Sequence, residues 1–132
     1  MTLMRFLKVF ALTVPVFLLV DAVWLGLVAR RFIDRELIAF ERTIRWTPAI
    51  LVYLLLVAGT ILFAVPRADG SVMRALLWGA AFGVATYGTY DLTNYATLKG
   101  WTLTMTVVDI SWGAFIQGFT AVVATIINNR LP

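Results

Sequence analysis

The chain has 132 residues, 61% of them hydrophobic and only 14% charged, with a mean hydropathy of +0.90 and a formal charge of +4. That much apolar surface cannot be hidden inside a soluble domain of this length, so composition excludes an ordinary soluble protein and predicts a membrane protein. Without cysteine or histidine the chain cannot build a disulfide, a thiolate nucleophile, an iron–sulfur cluster, a His-ligated haem or a His/Cys zinc site; any metal would be a hard divalent cation held by oxygen.

In chain order, four apolar runs each approach the roughly 20 residues that span hydrocarbon. The first, about residues 6–29, has Arg5 and Lys8 near its start and Arg30-Arg31 after it. It is too long for a signal-peptide core and lacks a small-residue cleavage site, so it is expected to belong to the mature fold. Pro15 is expected to bend it mildly. Residues 31–45 place Ile33, Leu37, Phe40 and Ile44 at helical spacing among charged side chains, with Phe32 and Trp46 at the ends. This pattern predicts an amphipathic helix lying along the interface, in preference to a short solvated linker. The second run, about 47–65, has Thr47-Pro48 as N-cap and first-turn proline and Pro66 as stop. Arg67-Ala68-Asp69-Gly70 is a turn. The third and fourth runs, about 75–98 and 102–127, are separated only by Lys99-Gly100-Trp101 and predict a tight antiparallel hairpin.

The expected fold is therefore an all-α membrane protein: a single transmembrane domain over residues 1–132, four transmembrane helices in a bundle, and the interfacial helix between the first two. Five Lys/Arg fall on the N-terminal side and six on the other, so the positive-inside rule leaves orientation open. The cations cluster at helix ends, where lipid headgroups rather than nucleic acid are the expected partners.

Three aspartates interrupt the apolar runs. Asp21 lies nine residues before Arg30, Asp91 eight before Lys99, and Asp109 ten after Lys99; Tyr53 lies eight past Arg45. At about 1.5 Å per helical residue, all four sit roughly 12–15 Å below one membrane face. Asp21-x-x-Trp24, Asp91-x-x-Asn94 and Asp109-x-x-Trp112 each put a donor side chain on the face of the acid, and Tyr87 and Tyr90 flank Asp91. Gly79-x-x-x-Gly83 and Ala114-x-x-x-Gly118 allow close helix approach, which would turn these acids inward.

Two interpretations compete. The acids can be structural glue that accepts hydrogen bonds from Trp, Tyr and Thr on neighbouring helices. Alternatively they form a functional site, which we favour, because three ionised carboxylates in one dry plane would repel prohibitively unless a proton or cation is shared. The catalytic candidates are Asp21, Asp91 and Asp109, which would also be the ligands of a hard cation if one is bound. The ligand-binding candidates are Trp24, Tyr53, Tyr87, Tyr90, Asn94, Lys99 and Trp112. For Lys99, a headgroup anchor is favoured over a lid or anion guide. Gln117, two turns beyond Asp109, is a weak pointer to a longer polar path.

The runs Asp21-Ala22-Val23-Trp24-Leu25-Gly26, Tyr90 to Trp101 (YDLTNYATLKGW) and Val108 to Gly113 (VDISWG) resemble a family of small predicted bacterial membrane proteins of unknown function. The resemblance covers nearly the whole chain. It implies a multi-pass bacterial inner-membrane protein of about four helices, with no activity or catalytic residue to carry over.

No phosphate loop, metal-binding His pair or nucleophile elbow identifies a reaction, so whether the protein is an enzyme stays open. The favoured function is a carboxylate-lined intramembrane site for a small or lipid-like ligand, reached from one face. The alternatives are a proton- or cation-coupled transporter or channel, for which four helices are few and a homodimer is expected, and a structural subunit of a membrane complex. The halves of the helices away from the acids are nearly all apolar, which favours a cavity open to one side. No cofactor is expected.

Overall fold

A computed structural model describes all residues, 1–132. Five α-helices form the chain: α1 (Leu3–Val23), α2 (Arg30–Glu36), α3 (Trp46–Ala68), α4 (Val72–Thr97) and α5 (Leu103–Arg130), with a π-helical segment (Trp24–Val28) continuing α1. Local chemistry sets most of the starts. Thr2, Ser71 and Thr102 sit in extended conformation and accept the backbone N–H of Arg5, Arg74 and Met105, so α1, α4 and α5 each begin on a hydroxyl cap. The turn between α3 and α4 is made by Asp69 and Gly70 at φ 48° and 75°, where only a small or short polar residue is comfortable.

Three helical stretches are long and apolar enough to cross a membrane: Leu3–Val28, Trp46–Ala68 and Leu103–Arg130. α4, at 26 residues, is long enough but less apolar, because its sequence is rich in glycine and threonine and carries Asp91.

α5 is the centre of the bundle. It packs against α1, α3 and α4, and α3 also touches α1 and α4, whereas α1 and α4 do not meet. One core joins Val9 and Phe17 of α1, Val57, Ile61 and Val65 of α3, and Ile116 and Ala124 of α5. A second is made only of alanines, Ala64, Ala68, Ala75 and Ala121, and lets α3, α4 and α5 come close. The α4–α5 contact is the tightest. A Cβ on Gly83 would collide with the backbone of Gly113, and one on Gly79 with Ala121 and the Gln117 carbonyl. On α4, Ala75, Gly79, Gly83, Tyr87 and Asp91 recur every four residues, so small side chains deliver the last two straight onto α5.

Several local expectations are corrected. The helix across 31–45 stops at Glu36; residues 37–40 are turn and bend, and 41–45 have no regular structure. Its charges do not continue the helix because tertiary contacts hold the segment: Glu36 accepts the Thr102 hydroxyl at 2.6 Å, and the Phe40 ring meets Trp101 edge-on at 5.9 Å. Thr47 does not cap α3, since the helix already includes Trp46 and the capping position is Arg45, with no side-chain bond. Pro66 does not stop α3, which runs two residues further and ends where Asp69 turns left-handed. Nothing in the residue pattern announced the π-helical segment, closed by the Ala29 N–H on the Trp24 carbonyl at 2.7 Å.

Candidate intramembrane site

The site is assembled from all four long helices. Asp21, three residues before the π-helical segment begins, is 5% exposed and accepts the Trp112 indole N–H of α5 at 3.0 Å. Trp112 is held flat by Trp24 of the π-helical segment, with ring centroids 4.4 Å apart and planes within 5°. The pairing therefore crosses helices: each Trp serves the acid of another helix or stacks, and does not serve the acid three residues before it. The hydroxyl of Tyr53, on α3, stands beside the Asp21 carboxylate without closing a hydrogen bond of standard geometry. The Tyr53 ring packs on Phe17 at 5.8 Å.

A cavity of about 390 Å³ opens between these helices. Asp21, Leu25, Val52, Tyr53, Leu56, Thr86, Tyr87, Tyr90, Asp109 and Trp112 line it. Its mouth includes Leu25, Val52 and Tyr90, which are 40%, 48% and 58% exposed on the outer surface of the bundle. Six of the predicted site residues, Asp21, Asp109, Tyr53, Tyr87, Tyr90 and Trp112, thus share one chamber. Thr86, Leu25, Val52 and Leu56 were not anticipated. Their signal was present in the spacing: Thr86 is four residues before Tyr90, and Val52 and Leu56 are four apart around Tyr53.

The other predicted residues lie elsewhere. Asp91 is fully buried and does not line the chamber, and neither of its carboxylate oxygens has a hydrogen-bond donor. The polar group in reach of it is the Asp109 carboxyl. Asn94, one turn further along α4, is beside Tyr90 and does not line the cavity. Lys99 is beyond the end of α4 on an exposed loop, makes no ion pair and does not line the chamber. Trp24 faces a separate shallow apolar groove with Leu19, Val20, Val23 and Val28. The three aspartates do not group closely enough to hold a metal ion together.

A second buried polar patch lies deeper along α5. The Thr60 hydroxyl donates to Gln117 Oε1, while Gln117 Nε2 and Thr125 Oγ1 are buried without partners. Phe17, Val57, Ile61 and Ile116 fill the interior on that side.

A bundle of long apolar helices with carboxylates buried between them is an integral membrane protein. The chain belongs to the family described as "Predicted membrane protein (DUF2177)", whose model matches residues 6–126. No significant match was found among curated proteins or among solved structures.

Proposed function

We propose that this is a four-span protein whose central chamber binds, or acts on, a small or lipid-like ligand that enters sideways from the bilayer. The single observation that carries this is the chamber itself. Two acids from different helices, Asp21 and Asp109, face a space of about 390 Å³ with otherwise aromatic and aliphatic walls. That volume is in the range of small-molecule sites, and a few convergent polar groups in an apolar pocket are what fixes a ligand's orientation. The exposed mouth residues Leu25 and Val52 favour entry from lipid. The filled core beyond the chamber favours binding over passage through the bundle.

Crossing by α4 as a fourth span is supported by where its polar groups go. Gly79, Gly83, Gly88 and Asp91 are buried, whereas Leu77, Val84 and Leu92 face outward. Thr86, Thr89 and Thr97 donate to carbonyls of their own helix at 2.9, 2.7 and 2.7 Å, so their hydroxyls remain satisfied in hydrocarbon. Helical spans suit a bacterial inner membrane, since outer-membrane spans are barrels.

The test is the content of the chamber. Protein extracted together with native lipid and analysed by mass spectrometry is expected to retain a defined molecule that Val52→Trp excludes. Val52 is half exposed, so the substitution fills the mouth without disturbing the core. Identical bound-lipid profiles for the two proteins would overturn the proposal.

A further inference from the structure

We infer that the ligand of this chamber carries a positive charge on an apolar body: an organic ammonium, such as a long-chain amine or an ethanolamine-type lipid headgroup. The inference rests on the proposed binding role of the chamber and specifies its chemistry.

Charge balance is the first ground. The chamber wall carries two carboxylates and no Lys or Arg, although the chain has 11 of them. The only hydrogen bond that Asp21 accepts comes from the neutral Trp112 indole, and Asp109 lies against a third, fully buried acid. That acid, Asp91, has two oxygens without any donor and lies within reach of the Asp109 carboxyl, outside the chamber lining. A buried carboxylate group left unpaired in this way is costly unless something positive or proton-bearing is shared with it. An anionic ligand would add to the repulsion; a proton shared by Asp91 and Asp109 relieves only that pair, whereas a cation in the chamber would face both Asp21 and Asp109.

The wall chemistry is the second ground. Trp112, Tyr53, Tyr87 and Tyr90 present aromatic surface around the same space. Ring faces attract ammonium groups, most strongly when desolvated, and this is a recurrent way of holding alkylated cations. A bare metal ion fits poorly. It would need several oxygens converging within bonding distance, which the three aspartates do not provide, and the chamber is far larger than an ion. The apolar mouth at Leu25 and Val52 accommodates a hydrocarbon tail that continues into the bilayer.

The test compares equal-length amphiphiles by thermal stabilisation of the purified protein in neutral detergent. The probes are dodecyltrimethylammonium, dodecylamine, dodecanol and dodecanoate, with a lysolipid bearing an ethanolamine headgroup as a separate arm. Binding to the folded state raises the melting temperature in a saturable way. The amine probes are expected to bind at least about tenfold more tightly than dodecanol or dodecanoate, as charge and cation–π contacts in a dry pocket allow. Asp109→Asn should remove most of that preference, and Val52→Trp should abolish saturable binding of every probe. Stronger binding of the lysolipid would identify a lipid headgroup as the source of the ammonium; stronger binding of the simple amines would identify a free hydrophobic amine. Both support the inference. Equal, Val52-sensitive binding of dodecanol or dodecanoate would overturn the cationic assignment and leave the chamber as a binding site. No Val52-sensitive binding of any probe, together with unchanged native lipid content, would overturn both.

Discussion

Trp112 shows how one side chain can serve both structure and site. Its indole N–H donates to Asp21, its face is covered by Trp24, and its other neighbours are Phe115 at 5.3 Å and the chamber. Trp112→Phe keeps the stack and removes the only donor of a buried carboxylate. We expect a loss of about 1–3 kcal/mol, measured as a lower midpoint of thermal unfolding in detergent. Adding Asp21→Leu should recover most of it, since removing both partners leaves nothing unsatisfied. If Trp112→Phe leaves the midpoint unchanged, the cross-helix bond contributes nothing. The repeated Asp-x-x-Trp pattern signalled that acids and indoles belong together. It did not say which indole meets which acid, because three-residue spacing describes one helix and the bond joins two.

At the scale of elements, the α4–α5 pair depends on missing side chains. Gly83 leaves no room between its Cα and the Gly113 backbone, and Gly113 in turn accommodates the Tyr87 ring. Gly83→Ala should push the helices apart and cost about 1–3 kcal/mol, as overpacking of a close contact does. Gly26→Ala is the control, since nothing lies within 4 Å of its position, and it should be neutral or slightly stabilising. Thermal unfolding of the two variants side by side checks both. Separation of α4 from α5 should also carry Asp91 away from Asp109, so Gly83→Ala is expected to weaken ligand retention as well. The small-residue spacings made this helix pair legible in advance. The short α2 was not, because charged residues at helical spacing suit a helix, while the Glu36–Thr102 and Phe40–Trp101 contacts that end it come from far along the chain.

For the whole molecule the decisive question is how many helices cross. Four spans put the chain termini and the Asp69-Gly70 turn on one side, and the 37–45 segment and Lys99-Gly100 on the other. Three spans, with α4 outside the bilayer, would put the two termini on opposite sides. The natural chain has no cysteine, so single cysteines at exposed Asp69, Glu41 and Lys99 report topology without background. We expect a membrane-impermeant thiol reagent added to sealed vesicles to label Glu41→Cys and Lys99→Cys alike and to label Asp69→Cys oppositely. Labelling of Asp69→Cys and Lys99→Cys from the same side would remove α4 from the membrane. Arg5 already ties one end of the bundle together: its guanidinium donates to Asn128 Oδ1 at 2.8 Å and to the Leu131 carbonyl at 3.2 Å, so α1 begins where α5 ends. This clamp is compatible with an even number of crossings.

By itself the sequence determined the solvent this protein needs and the elements from which it is made. Long apolar runs force helices into a bilayer because backbone groups there find partners only within the helix. It also set a common expected depth for the acids, because rise per residue is constant along a helix. Only the tertiary structure decided that Asp21 and Asp109 share a chamber while Asp91 is buried outside its lining, and that Asn94 and Lys99 lie apart. Depth is a one-helix property, whereas the direction in which a side chain points across the bundle depends on how neighbouring helices are rotated. That rotation is set by contacts such as Gly83 on Gly113, which no single helix contains.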